Sequence, residues 1–243
     1  MKRLFLQLFL ILSAFSLAQT FTSNDAQLWF NLYLEKKINK KFSVHLNQQD
    51  RLTNNISQFT FAYADIGITY KISKDIKVFA DYVFSQKRAN IQSSDYPDVF
   101  GTTHQYYIAF TIKKDFARWR FAYRAMYQFE YKNPYTSASG LIAYHYDRNK
   151  FIIKYEYNKR FSFYVAEELY IPLNSPQISG IDRTRTFAGV FVNTFKKQQL
   201  ELYFMYQNRL QNGAWFKQHN SYRADDYILE KDFVYGIGYS FEF

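Results

Sequence analysis

The sequence predicts an all-β protein: a transmembrane antiparallel β-barrel of about twelve strands, with short periplasmic turns and longer extracellular loops. Three observations lead there. The chain ends Phe233-Val-Tyr235-Gly-Ile237-Gly-Tyr239-Ser-Phe241-Glu-Phe243, with a large apolar residue at every second position. Successive side chains of a strand point to opposite faces, so this segment has one aromatic face and one small or charged face. A soluble sheet would bury the aromatic face in a core, whereas an outer-membrane barrel turns it to lipid. The second observation is composition. With 23 Tyr and 26 Phe the chain is 21% aromatic, yet its mean hydropathy is only −0.39. A barrel reconciles the two, because only alternate residues face lipid. The third is an N-terminus patterned for export.

That terminus reads Met1-Lys2-Arg3, then an apolar run from Leu4 to Leu12, then Ser16-Leu17-Ala18 before Gln19. A basic start, a short apolar stretch and a small-residue exit make a cleaved secretory signal. The stretch is shorter than the ~20 residues of a membrane-spanning helix. Residues 1–18 are therefore expected to be a signal peptide and residues 19–243 a single barrel domain. Removing Lys2 and Arg3 lowers the formal charge from +10 to +8. The chain has no cysteine, which excludes a lipoprotein signal, disulfides, thiolate metal sites and Cys nucleophiles.

Alternation recurs along the mature chain. Leu28, Phe30, Leu32 and Leu34 alternate with Trp29, Asn31, Tyr33 and Glu35; Phe42, Val44 and Leu46 with Ser43, His45 and Asn47, running on through Arg51. Ala62 to Tyr70, Val78 to Ser85 and Gln105 to Ile112 repeat the pattern. It is clearest where Trp119, Phe121, Tyr123, Ala125, Tyr127, Phe129 and Tyr131 oppose Arg120, Ala122, Arg124, Met126, Gln128 and Glu130. A helix cannot separate those two sets onto opposite faces; a strand does so by construction. Segments Phe151–Tyr157, Phe161–Tyr170, Arg185–Asn193 and Leu200–Arg209 continue it, with Glu167 in the lipid-facing register, at a headgroup rim or a bulge.

The connections alternate in length. Short basic turns are expected at Lys36–Lys41, Lys71–Ile76, Lys113–Arg118, Asn158–Arg160 and Phe195–Gln198. Longer polar segments are expected at Asn54–Gln58, Arg88–Thr103, Lys132–Ser139, Pro172–Asp182 and Gln211–Asp226, and these hold all four prolines. The segments so read number eleven. A single-chain barrel with both ends in the periplasm needs an even number, so a hairpin turn at Asp147-Arg148-Asn149 is invoked, giving twelve strands, with ten as the next choice.

The face opposite the aromatics is rich in ionisable groups: Glu35, Arg51, Asp65, Asp81, Arg120, Arg124, Glu130, Lys154, Glu156, Glu168, Arg185, Glu201 and Arg209. An Arg or Lys on the lipid face at the midplane costs roughly 2–4 kcal/mol, so their phase supports a barrel. From these, Arg120, Arg124, Lys154, Glu156, Glu168, Arg185, Glu201 and Arg209 form a candidate lumen charge network. It is either an internal salt-bridge plug or a path for a solute. The lysines of the turns are solvated or contact lipid phosphates.

Chemistry finds little footing. His45 faces inward, His104 and His145 lie outward near strand ends, and His219 sits in a long segment beside Asn220 and Ser221. Neighbours in a loop do not make a triad, and the adjacent carboxylates Glu167-Glu168 and Asp225-Asp226 would point to opposite faces. No catalytic, cofactor-binding or metal-ligating set is assigned, and no cofactor is expected. Nucleic acid is a poor partner for an exported chain whose aromatics are this regular.

The segments Phe163-Tyr-Val-Ala-Glu167-Glu168-Leu-Tyr170, Ile181-Asp-Arg-Thr-Arg185 and Leu200-Glu-Leu-Tyr-Phe-Met-Tyr-Gln207, with Gly189 between the last two, carry a resemblance. They resemble the Gram-negative outer-membrane β-barrel family of unknown function known as DUF2490. The resemblance implies an outer-membrane barrel, no established substrate and no catalytic residues. The expected partners are outer-membrane lipid and the export and barrel-assembly machinery, with a monomer in the membrane. Phe233, Tyr235, Ile237, Tyr239, Phe241 and Phe243 would be the assembly signal. A narrow pore or small-solute binding barrel, a structural barrel presenting loops and, in another class, a lipid hydrolase or acyltransferase remain open; an enzyme is not the expectation.

Overall fold

The computed structural model describes residues 21–88, 100–132, 143–175, 180–212 and 227–243. Eleven strands follow in chain order: β1 (Phe21–Lys37), β2 (Phe42–Thr53), β3 (Gln58–Lys71), β4 (Ile76–Arg88), β5 (Phe100–Phe116), β6 (Trp119–Lys132), β7 (Ala143–Glu156), β8 (Phe161–Pro172), β9 (Arg183–Phe195), β10 (Gln198–Asn212) and β11 (Tyr227–Glu242). Each pairs antiparallel with its neighbour in the chain, and the sheet closes into a barrel where β1 meets β11 in parallel.

Among the described residues the count is eleven, close to the expected twelve, and the hairpin turn that would supply a twelfth strand is not formed. Asp147, Arg148 and Asn149 lie inside β7, paired across to Tyr127, Met126 and Ala125 of β6, rather than in a hairpin turn. The odd number follows from direction. β1 starts at the end of the barrel bearing the long connections, and β11 finishes at the opposite end, so the described chain crosses an odd number of times. The seam is continuous from Phe21 opposite Ile228 to Glu35 opposite Glu242. At its turn end the Phe243 N–H donates to the Glu35 carbonyl (2.9 Å) and the Lys37 N–H to the Phe243 carbonyl (3.3 Å).

The alternation read from the sequence maps onto the two surfaces. Ile66, Ile68 and Ile108 stand on the outer face at 60, 53 and 62% exposure, far more contiguous apolar surface than an aqueous protein carries. On β11, Phe233, Tyr235 and Ile237 are exposed while Asp232, Val234, Gly236 and Gly238 between them are buried. This is the lipid-facing belt of a transmembrane barrel. Glu167 stays on the outer face without a bulge; pairing through it is regular, and its carboxylate accepts a bond from Thr186 Oγ1 (2.6 Å). It sits beyond the apolar run of Phe161, Phe163 and Val165, with Asp147 and Asn149 outward on the neighbouring strand.

Two connections differ from the sequence reading. Residues 54–57 form a tight turn, with Asn54, Asn55 and Ile56 all in the left-handed region (φ 55, 54 and 64°). Asn tolerates that conformation, whereas a β-branched Ile is unusual there. The start of β1 holds the turn: Ile56 N–H donates to the Ala26 carbonyl and Asn55 N–H to Asp25 Oδ1. Pro172 is the last residue of β8 rather than part of a loop, where its lack of a donor is tolerated. Pro97, Pro134 and Pro176 lie outside the described residues.

Candidate functional site: the barrel lumen

Inward-facing side chains meet at the centre of the barrel. Every strand sends in at least one group no more than 8% exposed: Trp29, Gln49, Asp65, Val83, Ala109, Met126, Tyr146, Glu168, Arg185, Met205 and Val234 in strand order. Part of this filling is apolar. Trp29, Tyr164, Ala166, Phe187, Met205 and Val234 form one buried cluster against which Ile152, Phe191 and Tyr203 pack. Gly236 makes that packing feasible, because a Cβ there would fall 1.9 Å from Tyr203 Cζ. The Tyr203 ring occupies the space that a side chain on β11 would fill.

The rest is ionic, and its hub is Glu168. Its carboxylate, on a side chain 2% exposed, meets Arg148 Nη2 at 2.8 Å, Arg124 Nη2 at 3.2 Å and Arg185 Nη1 at 3.9 Å. Register explains the meeting: Arg185 of β9 and Lys150 of β7 flank Glu168 directly, and Arg124 of β6 stands opposite Lys150. The guanidiniums are anchored again. Arg185 donates to Gln207 Oε1 (2.6 Å) and Tyr170 Oη (2.5 Å), and Arg148 to Gln128 Oε1 (2.7 Å). Gln207 in turn donates to Asp232. Cations also lie over rings: Arg51 over Trp29 at 3.7 Å, Lys150 over Phe187 at 3.8 Å and Lys154 over Phe191 at 4.7 Å. A desolvated cation on an aromatic face gains about 2 kcal/mol, so these contacts tie the ionic and apolar parts together.

At the turn end the lumen widens into a cavity of about 480 Å³ lined by Tyr33, Glu35, Asn193, Phe195, Gln199 and Ser240 among others. The barrel rim at the turn end is charged. Lys37 Nζ pairs with Glu242 (2.5 Å), which holds the ammonium above its ordinary pKa. Arg120 Nε bonds Asp115 Oδ1 (2.6 Å) and holds that carboxyl below the usual carboxylate range.

The protein is thus a closed β-barrel with an apolar belt and a filled, charge-laced interior, and a family model described as "Protein of unknown function (DUF2490)" matches residues 26–218. The chain belongs to the DUF2490 family. No curated protein matches it. Among solved structures, the NanC porin in its rhombohedral crystal form is similar to it, with a TM-score of 0.50 and 14% sequence identity over 90% of this chain and 99% of that one. At that identity the likeness is one of fold.

The eight charges singled out from the sequence do not form one network in this DUF2490 barrel. Arg124, Glu168 and Arg185 meet at the hub. Arg120 and Glu156 approach to 3.8 Å at the turn-end rim, Arg209 pairs with Glu230 at 3.8 Å on the loop side, and Glu201 accepts a bond from Tyr164 Oη (2.5 Å). Arg148, the closest partner of Glu168, is hidden from sequence reasoning by the turn-like Asp147-Arg148-Asn149; carrying the period of two back from Lys154 through Ile152 and Lys150 reaches it. Of the expected assembly signal, Phe233, Tyr235, Ile237, Tyr239 and Phe241 occupy the outer side of β11, held between β10 and β1, and Phe243 follows at its end. Of the histidines, His104 and His145 face out, their Nδ1 atoms 2.8 and 2.6 Å from Tyr82 Oη and Tyr127 Oη. His219, Asn220, Ser221, Asp225 and Asp226 lie outside the described residues.

Proposed function

We propose that this protein is a Gram-negative outer-membrane barrel, delivered by a cleaved signal peptide, whose lumen is closed at rest. It acts as a membrane-embedded body with a binding mouth rather than as an open pore. The observation that supports this reading is the filling of the lumen: all eleven strands contribute side chains buried to 8% exposure or less, including an arginine–glutamate hub and an apolar cluster. A water-filled channel would leave its lining exposed, as in barrels of ~16 strands. Single-channel recording in planar bilayers tests it. The folded protein should insert without a steady conductance step, and a stable ohmic step would overturn the closed reading.

A second reading is favoured by the hub itself. Three arginines sharing one carboxylate make a lock that can rearrange, and its release would open a path lined by Arg124, Lys150 and Lys154. On that reading Glu168→Gln should raise conductance, with anions preferred over cations; a silent variant would remove the pore from consideration. An enzyme at the outer leaflet would show lipid turnover by the purified protein, abolished by His219→Ala or Ser221→Ala.

A further inference from the structure

The lumen holds a second cluster, on the wall opposite the hub, that the closed-barrel reading does not use. We propose that His45, Asp65 and Asp81 form a binding site for a divalent transition-metal cation on the inner wall of the barrel. The three come from adjacent strands, β2, β3 and β4, and all are buried. One ligating atom from each lies within 4.8 Å of the other two. Around an ion bound at ~2.1 Å, tetrahedral ligand atoms stand ~3.4 Å apart, so small side-chain rotations complete the geometry.

Gly67 is what brings them together. It lies between His45 and Asp81 in the register of β2, β3 and β4. A Cβ there would fall 1.6 Å from Asp81 Oδ1 and 2.6 Å from His45 Nε2, so the two side chains meet in the space a side chain would occupy. Asp65 reaches the same place from two residues along β3. Tyr107 Oη donates to Asp65 Oδ2 at 2.7 Å, which orients the carboxylate and leaves Oδ1 for an ion. This is the outer-shell support that metal ligands characteristically have.

An ion pair alone does not account for the cluster. His45 Nε2 approaches Asp81 Oδ1 to 2.5 Å, with the two side chains 5 and 1% exposed. Yet Asp81 Oδ2, Asp65 Oδ1 and His45 Nδ1 have no hydrogen-bond partner, and a buried unpaired acceptor carries a desolvation cost. No Arg or Lys forms an ion pair with Asp65 or Asp81 among the described residues, and Glu35, a third carboxylate, faces His45 across β1 and β2. One imidazolium cannot balance this charge; a dication can. The mixed nitrogen and oxygen set suits Zn²⁺, Mn²⁺ or Fe²⁺ over Ca²⁺ or Mg²⁺. Entry is short, because Tyr33, whose ring stacks on His45 at 5.5 Å, also lines the turn-end cavity.

The test uses the full chain folded in detergent, stripped with EDTA and dialysed against Zn²⁺ or Mn²⁺, with bound metal measured by mass spectrometry. Wild type should retain about one ion per barrel, consistent with a single three-ligand site. Asp65→Asn, which leaves the His45–Asp81 pair in place, and His45→Gln should each lower retention at least tenfold while keeping the heat-modifiable gel mobility of a folded barrel. Retention at wild-type level in Asp65→Asn would put the ion elsewhere and overturn the proposal. So would a wild-type barrel that holds no metal above background. Should the variants not fold, Co²⁺ absorption of wild type decides: ligand-field bands displaced by Zn²⁺ support the site, and their absence refutes it.

Discussion

Glu168→Gln preserves shape and removes one charge from the centre of the barrel. Arg148 at 2.8 Å, Arg124 at 3.2 Å and Arg185 at 3.9 Å lose their shared carboxylate. Deleting one partner of a buried ion pair costs about 3–5 kcal/mol, because the other charge stays desolvated. Arg185 keeps Gln207 and Tyr170, Arg148 keeps Gln128, and the Arg124 side chain is 31% exposed, which places the expected loss at the lower end, about 3 kcal/mol. That is roughly a hundredfold fall in the folded-to-unfolded ratio. Urea unfolding in lipid vesicles, followed by tryptophan fluorescence, measures it. The adjacent Glu167→Gln is the internal control. Its carboxylate meets Thr186 on the outer face, and its replacement should cost no more than about 1 kcal/mol. Equal small losses for the two variants would mean that Glu168 is solvated, and the closed-lumen reasoning would fail.

Gly236→Ala should destabilise by about 1–3 kcal/mol through overpacking, since the new Cβ would lie 1.9 Å from Tyr203 Cζ; adding Tyr203→Ser should recover part of that loss in the same unfolding assay, and strict additivity would show that the ring is not the obstacle. Deleting Phe243 removes backbone bonds to Glu35 and Lys37 at the seam and one aromatic of the expected assembly signal, so the yield of heat-modifiable barrel after insertion should fall; an unchanged yield would count against both roles. The lowered pKa of Asp115 predicts a contribution from the Asp115–Arg120 pair that is fully present above the unfolded-chain value of about 3.9 and is lost as pH falls below it. Asp115→Asn should flatten the stability profile in that acid range by under about 1 kcal/mol, the pair being half exposed.

Much of the fold was legible because a period of two is a local property. Leu28 to Glu35 or Trp119 to Tyr131 declares two faces without reference to any other strand, and the apolar one must find lipid or a core. Closure is not local. Whether β1 runs parallel or antiparallel to β11 depends on which end of the barrel β1 enters, and nothing within Phe21–Lys37 records that; hence the sequence points to an even count where eleven strands close the described barrel. The hub was half legible for the same reason. Phase placed Arg124, Glu168 and Arg185 inside, but which of them touch depends on the relative register of β6 to β9. His45, Asp65 and Asp81 were illegible as a set, since their separations of 20 and 16 residues follow strand and turn lengths and match no ligand motif.

The two inner clusters differ in a way that bears on what the barrel does. Around Glu168 the positive charge is in excess, with Arg124, Arg148, Arg185 and Lys150 converging on one carboxylate, and the surplus is spread over ring faces such as those of Tyr170 and Phe187. Around His45 the excess is negative, and among the described residues no comparable device offsets it: Ser43 and Tyr33 donate to the two oxygens of Glu35 and Tyr107 to one of Asp65, which leaves Asp65 Oδ1 and Asp81 Oδ2 without a hydrogen-bond partner. A low-dielectric interior does not tolerate that imbalance at both places equally. Aromatic rings can absorb surplus cations, because their faces are electron-rich; they offer nothing to surplus carboxylates. The acidic wall therefore needs a cation from outside or must take up protons, and these alternatives differ in salt and metal dependence. If metal fills it, EDTA should lower the unfolding midpoint of wild type and leave that of Asp65→Asn unchanged. If protons fill it, the midpoint should ignore EDTA and follow pH alone.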